Sequence, residues 1–292
     1  MTSITLRAFA KINLSLRVSA AREDGFHDVQ TLLQAIDLFD RVKCETRRGP
    51  FEIRCDMPGV PTDSRNLVWK AAQLLWDASG RAGEPEGAIV TLQKHIPMMA
   101  GLGGGSSNAA AALIGLRRLW KLRVGDAQVH ALASRLGSDV PFFLVGGTAL
   151  GLGRGDELYP LANLPRLWVV LAVPPFGIAT PDAYRWLDEA RQGGTTVSRG
   201  QTGTMVPNLL PNVPFVNDLE APVAARHPVI AELKQRLADR GALLAAMSGS
   251  GSTVFGVFPS VSAARGAARA VTSTGAKVLT ARFLGAVTRR GR

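Results

Sequence analysis

The chain has 292 residues, 46% of them hydrophobic and 20% charged, a balance that excludes a disordered polymer and allows a large core in two domains or one. The formal net charge is +11, but the basic residues are scattered, the only dense run is the tail "TRRGR", and aromatics are 6%, so the basic stripe with interleaved aromatics of a nucleic-acid binder is missing. No apolar run could span a bilayer, and Cys44 and Cys55 form no CxxC pair, so the expectation is a reduced cytoplasmic protein with no membrane or nucleic-acid partner, monomer or homodimer.

The N-terminal stretch 5–20, "TLRAFAKINLSLRVSA", alternates apolar and polar residues, which predicts a half-buried strand and no signal peptide. Residues 32–40 and 41–48 read as two further strands joined at Asp40, and 51–59 as a fourth. Helical spacing predicts a helix over 66–79, stopped by Gly80, and 87–96 is a strand ended by Pro97. A glycine-rich loop then leads into a helix reaching about Trp120. Residues 126–137 are the next helix, with Asp126 at its N-cap and Gly137 as its stop, and 138–153 return to strands.

A proline-punctuated stretch at 159–168 predicts a domain boundary near residue 160, giving domains 1–160 and 161–292. Beyond it come a buried strand from 167, a helix over 180–191 with Thr180 as N-cap and Pro181 at its first position, and a polar glycine-rich loop over 191–204. A helix over 227–241, a strand–glycine turn–strand over 242–258, a helix over 262–273 and a closing strand from 276 complete an α+β chain.

The informative segment is "PMMAGLGGGSSNAAAAL", residues 97–113. A P-loop needs a lysine directly before its Ser/Thr, and none lies between Pro97 and Ser107. The dinucleotide fingerprint GxGxxG fails at Ser106 and lacks the second strand with its acidic end. A plain anion nest remains: consecutive glycines turn backbone N–H groups to one centre, and a helix N-terminus, with Ser106, Ser107 and Asn108 as N-cap types, adds orphan donors and partial positive charge. A tight turn for close helix–strand packing is the alternative, though it needs fewer than three adjacent glycines.

This segment resembles the second motif of the GHMP small-molecule kinases. "AFAKINLSLRV" with "REDGFHDVQTLLQAIDLFD", "LGSDVPFFLVGGTALGLGRG" and "MSGSGSTVFGVF" resemble other motifs of that family, in family order and across most of the chain. The likeness is to the branch acting on an alcohol with a cytidine diphosphate head. It implies a two-domain GHMP kinase fold: a ribosomal-protein-like N-terminal α/β domain and a ferredoxin-like C-terminal α/β domain. It also implies ATP-dependent phosphorylation of the 2-hydroxyl of that small-molecule substrate, in the non-mevalonate route to isoprenoid precursors. One departure stands out: Met99 stands where the family usually has glycine.

By the same resemblance, Pro97, Met98, Met99, Ala100, Gly101, Leu102, Gly103, Gly104, Gly105, Ser106 and Ser107 wrap the triphosphate of ATP. Asp139 accepts the proton of the alcohol, a task an ordinary carboxylate can perform because the transition state is loose. Lys11 pairs with it, and Asn13, on the same strand face, lies near the substrate. Phe26, His27 and Tyr184 stack on and read cytosine, and Thr180 contacts ligand or caps its helix. Asn66 and Lys94 border the adenine pocket, and the 247–255 turn packs against the nucleotide loop. Mg2+ is expected from the chemistry, with Ser106 or Ser107 as an oxygen donor. Read without the family, each residue has a plainer role: a snorkelling lysine, a turn aspartate, packing aromatics.

Overall fold

The computed structural model describes residues 2–193 and 215–286. Two compact units interleave along the chain: 1–10, 38–96 and 103–145 in the first, and 11–37, 97–102 and 146–292 in the second. They therefore do not follow a single cut at residue 160. The reason is the length of two paired strands, β1 (Ser3–Ala21) and β2 (His27–Pro50), each of which contributes to both units.

In the first unit, residues 41–50 of β2 pair antiparallel with β4 (Glu86–Gln93), which pairs parallel with β3 (Glu52–Cys55). Helices α1 (Leu67–Ala78), α2 (Gly104–Leu119) and α3 (Asp126–Leu136) pack on one another, and their apolar faces share one core with Val42, Cys44, Ile53, Val90 and Leu92 of the strands. A single-turn helix, α4 (Phe142–Val145), follows α3. Asn66 caps α1 as Oδ1 accepts from the Val68 amide at 2.9 Å, while its Nδ2 donates to the Pro61 carbonyl. That side chain is thus occupied in capping. The helix α2 comes close to β2 at Gly115, where an added Cβ would lie 2.7 Å from Cys44 Sγ.

In the second unit, residues 31–34 of β2 pair with β5 (Thr148–Leu152), which pairs with β6 (Glu157–Pro160). A separate antiparallel sheet has the order β10–β7–β9–β8, from β7 (Trp168–Val173), β8 (Leu244–Met247), β9 (Val254–Phe258) and β10 (Lys277–Arg282). Helices α5 (Thr180–Gln192), α6 (Glu220–Arg226) and α7 (Val229–Asp239) come between β7 and β8, and α8 (Val261–Thr272) between β9 and β10. Both α7 and α8 pack on this sheet, so the β-α-β-β-α-β pattern of a ferredoxin-like domain is recovered with extra helices in the first crossover.

Several expectations are corrected. The two strands expected to join at Asp40 are one: β2 runs unbroken through it, and the side chain is fully buried. The α2 N-cap is Gly103 in the left-handed region, so Ser106, Ser107 and Asn108 lie inside the helix rather than at its cap. The caps of α3 and α5 are Gly125 and Ala179, one residue before Asp126 and Thr180. The stretch 138–153 holds a turn, then α4, and only one strand, β5, and the helix expected from 227 is preceded by α6. The loop expected over 191–204 lies, beyond residue 193, outside the described residues.

Gly115 sets two effects against each other. Alanine is the better helix former by up to about 1 kcal/mol, yet its Cβ would overpack Cys44, which typically costs about 1–3 kcal/mol. The steric term is expected to win, so Gly115→Ala should lower the urea midpoint with the m-value unchanged.

Candidate active site

Three groups of residues carry chemistry. The first lies on the polar face of β1, within the second unit. Lys11 and Asn13 are almost fully buried, 3% and 4% exposed, although their alternation with Ala10, Ile12 and Leu14 reads as a strand with one wet face. The Lys11 ammonium donates to Asn13 Oδ1 at 2.6 Å, Asn13 Nδ2 donates to Thr31 Oγ1 at 2.8 Å, and Thr31 donates to the Ser15 carbonyl. This chain of bonds fixes the ammonium from behind and satisfies the buried amide, which would be costly left unpaired.

Two glycine turns close on that face. The Ser248 hydroxyl donates to the Gly101 carbonyl at 2.9 Å and accepts from the Asn13 amide at 3.3 Å. A Cβ on residue 101 would lie 2.0 Å from the Ser248 carbonyl oxygen, so only glycine allows the approach. A Cβ on residue 249 would lie 3.0 Å from Asn13 Oδ1 and 3.2 Å from Lys11 Nζ; there glycine leaves space beside the ammonium. Asn217 holds the second turn from below, with Nδ2 donating to the carbonyls of Met247 and Gly249, both at 2.8 Å. Glu220 accepts from the Met247 amide at 2.7 Å and pairs with Lys234. Sequence reading singles out neither Asn217 nor Glu220, because the partners that bury a lone asparagine leave no local signature. The expected packing of the 247–255 turn on the 97–102 segment is present, and the Thr253 amide also donates to the Ala100 carbonyl at 3.3 Å.

The loop itself has a regular backbone. Met99, Gly101 and Gly103 have φ of 50°, 72° and 71°, while the intervening Ala100 and Leu102 are not in the left-handed region and are buried. Alternation of left-handed with other residues is a feature of anion nests, in which successive N–H groups turn toward one side. Next come Gly104, Gly105 and Ser106, whose amides are orphan donors of the first turn of α2. The Met99 departure therefore falls on a left-handed residue, which costs a non-glycine roughly 1–2 kcal/mol. Its side chain is 59% exposed, and its Cβ lies only 2.6 Å from where a Cβ on Gly177 would be.

The second group is formed by His27, Tyr184 and Asp188, again within the second unit. Tyr184 and Asp188 lie one turn apart on α5; the His27 ring is 5.2 Å from the Tyr184 ring, and His27 Nε2 is 2.9 Å from Asp188 Oδ1. Phe26 is 56% exposed, with Arg154 over its ring at 5.9 Å. The Thr180 hydroxyl meets Ser250 Oγ at 3.2 Å, and its side chain makes no cap bond. Asp188 is a residue that sequence reading missed, although its i+4 spacing from Tyr184 was a signal.

The third group is in the first unit. Asp139 is half-buried in the turn between α3 and α4, where the Val140 amide donates to the Gly137 carbonyl. The Lys94 ammonium pairs with buried Asp40 and donates to Asn108 Oδ1. Among the described residues no group of three His, Cys, Asp or Glu side chains could hold a metal, and no helix is long and apolar enough to cross a membrane.

Comparison with known proteins gives the family. Residues 66–147 match the GHMP kinases N terminal domain, and residues 200–277 the GHMP kinases C terminal region. The chain is 47% identical over 280 residues to a 4-diphosphocytidyl-2-C-methyl-D-erythritol kinase of Anaeromyxobacter dehalogenans, covering 93% of this chain and 85% of that protein. A crystal structure of 4-(cytidine 5'-diphospho)-2C-methyl-D-erythritol kinase superposes with a TM-score of 0.76 at 33% identity, covering 97% of this chain and all of that one. A homoserine kinase from Cytophaga hutchinsonii shares the fold, with a TM-score of 0.71 at 19% identity over 98% and 96% of the two chains.

The contact between positions 99 and 177 gives a stability test. Met99→Gly should raise stability by about 0.5–1 kcal/mol, since relief of the left-handed strain exceeds the entropy glycine adds to the unfolded chain. Gly177→Ala alone should be strongly destabilising. In a double-mutant cycle followed by urea unfolding, Met99→Gly should recover part of that loss.

Proposed function

This chain belongs to the 4-diphosphocytidyl-2-C-methyl-D-erythritol kinases of the GHMP family, and we propose from that membership how its own residues carry out the reaction. The chain is a kinase that uses ATP as phosphate donor for a small-molecule alcohol. The acceptor is the 2-hydroxyl of 4-diphosphocytidyl-2-C-methyl-D-erythritol, in the non-mevalonate route to isoprenoid precursors. The two family segments fall on either side of residue 160, and we assign the nucleotide half to 1–160 and the other half to 161–292.

The observation that carries the reading is the buried Lys11–Asn13 pair beneath two glycine turns. A lysine ammonium at 3% exposure, tied to a neutral amide and approached closely by Gly249, is suited to an anionic or hydroxyl-bearing ligand. Asp139 takes the proton of the attacking hydroxyl, late and without needing unusual basicity. Lys11 stabilises the charged oxygens, and Asn13 and Thr31 keep it in place. The alternating amides of 99–103 and the first turn of α2 hold the triphosphate.

Phe26 and Tyr184 supply rings for cytosine and His27 its polar edge, with Asp188 fixing the orientation of the imidazole. Mg2+ prefers octahedral oxygen coordination with several waters and phosphate oxygens. Ser106 or Ser107 would give it an oxygen, and the ion would neutralise charge on the β- and γ-oxygens.

Turnover of ATP with Mg2+ should occur with the cytidylyl acceptor and be absent with homoserine or mevalonate. Turnover with one of those alcohols instead would keep the kinase and discard the cytosine role of Phe26, His27 and Tyr184. Asp139→Asn should lower kcat by about 10²–10⁴-fold with an unchanged melting temperature, and near-normal turnover would remove Asp139 from the role of base.

A further inference from the structure

Asp40 is a fully buried carboxylate that none of the roles above uses. Four donors converge on it. Oδ1 accepts from the His95 amide at 2.6 Å and the Ile96 amide at 2.9 Å. Oδ2 accepts from Asn108 Nδ2 at 2.9 Å and pairs with the Lys94 ammonium. Lys94 closes the network by donating to Asn108 Oδ1 at 2.9 Å. Asp40, Ile96 and Asn108 are buried and the Lys94 side chain is nearly so, while His95 is exposed and contributes its backbone amide; all lie in the first unit.

The identity of the partners gives the network its meaning. His95 and Ile96 are the last residues before Pro97, where the glycine loop begins. Asn108 projects from the second turn of α2, four residues after Gly104, where the loop ends. At Gly104 itself, a Cβ would lie 3.0 Å from Ile96 Cγ2 and 3.3 Å from Lys94 Nζ. One carboxylate thus ties both ends of the loop together. The orphan amides of Gly104, Gly105 and Ser106 are held by a helix whose start is fixed to the end of β4 through Asp40, Lys94 and Asn108.

We infer that Asp40 is a positioning residue for the phosphate-binding amides, acting through His95, Ile96, Lys94 and Asn108 rather than by touching nucleotide. The inference rests on the assignment of the loop to ATP. It makes a prediction opposite in sign to simple electrostatics. Replacing Asp40 by asparagine removes a negative charge and leaves Lys94 uncompensated near the helix N-terminus, so Coulomb attraction alone would tighten binding of a polyanion. Positioning predicts the reverse, because an amide at position 40 aims its NH2 group at two donors and loosens the tie to α2.

The test is the affinity of the full chain for a fluorescent ATP analogue without acceptor, together with KM for ATP and for the cytidylyl alcohol and a melting curve for each variant. Asp40→Asn should weaken nucleotide binding about 10- to 100-fold, raise KM for ATP in parallel and leave KM for the alcohol unchanged. The exchange Asp40→Asn with Asn108→Asp keeps the tie between positions 40 and 108 with its polarity reversed: the amide at 40 accepts from His95 and Ile96 and donates to the carboxylate at 108, which takes Lys94 in place of the carboxylate at 40. That double variant should return to within about threefold of the parent affinity. A folded Asp40→Asn that binds nucleotide equally or more tightly overturns the inference, as does a folded exchange variant that fails to recover. If Asp40→Asn does not fold, Asn108→Ala, which cuts only the tie to α2, should show the same selective loss, and unchanged nucleotide affinity there would overturn the inference. A parent chain that binds no nucleotide refutes the kinase reading itself.

Discussion

A peptide carbonyl can lie against another backbone only where no Cβ stands between them, and the second unit is built around one such approach. The Ser248 carbonyl oxygen lies 2.0 Å from the place a Cβ on residue 101 would take. That approach lets the Ser248 hydroxyl reach both Gly101 and the amide of Asn13, and it brings the turn around Gly249 beside Lys11. Any side chain at 101 would push the turn away, uncovering the polar face of β1 and breaking the bond between the two turns. The buried ammonium of Lys11 is tolerable because its setting is so completely specified: an unpartnered charge there would cost far more than the hydrogen bonds return.

The loop between the two units' segments combines two physical devices of different tolerance. The first half, 97–102, depends on the sign of φ. Its left-handed positions are Gly101, followed just beyond it by Gly103, and Met99, which adopts φ of 50° with a side chain over Gly177. Lys121, with φ of 53°, is the other non-glycine residue in the left-handed region among the described residues, and the Met99 carbonyl accepts a hydrogen bond from the Ile178 amide at 3.1 Å. The second half depends on helix geometry instead, since the amides of Gly104 to Ser106 point along the axis of α2 whatever their side chains are. The small residues there answer to close packing, as Gly104 does against Ile96 and Lys94.

Most of the elements were legible because hydrophobic period and glycine punctuation agree along the chain: α1, α2, α3, α7 and α8 follow 3.6-residue spacing, and β7 and β9 are unbroken apolar runs. What failed was local in a consistent way. Helix caps were assigned to the best side-chain types, Ser106, Asp126 and Thr180, whereas glycine or alanine occupies the cap and the polar residue enters the first turn. Asp40 reads as the join between two strands, whereas β2 runs through it. The partners that make it acceptable there, the amides of 95–96 and the side chains of Lys94 and Asn108, are 54 to 68 residues away and leave no trace nearby. The same holds for Asn217 and for the Lys11–Asn13 face, where alternation correctly sorted the two faces of β1 but could not reveal that the polar one is covered.

These failures share a cause that bears on where function sits. Burial of a polar residue is set by distant partners, so period and propensity treat it as an error in a pattern. Lys11 interrupts an apolar run in β1, Asp40 interrupts the apolar pattern of β2 without ending the strand, and Asn13 and Asn108 sit where an aliphatic residue would pack more simply. Each is almost fully enclosed, and each bonds to at least one other of the same kind or to a glycine-turn backbone. An aliphatic core would hold these segments together with less risk, since buried ion pairs rarely outperform well-packed hydrophobic side chains in stability. What the polar set adds is direction: a carboxylate accepting four donors, or an ammonium tied to an amide, fixes orientation where packing fixes only distance. A chain that must hold backbone amides to within a fraction of an ångström of an anion has reason to prefer direction over stability at those few positions.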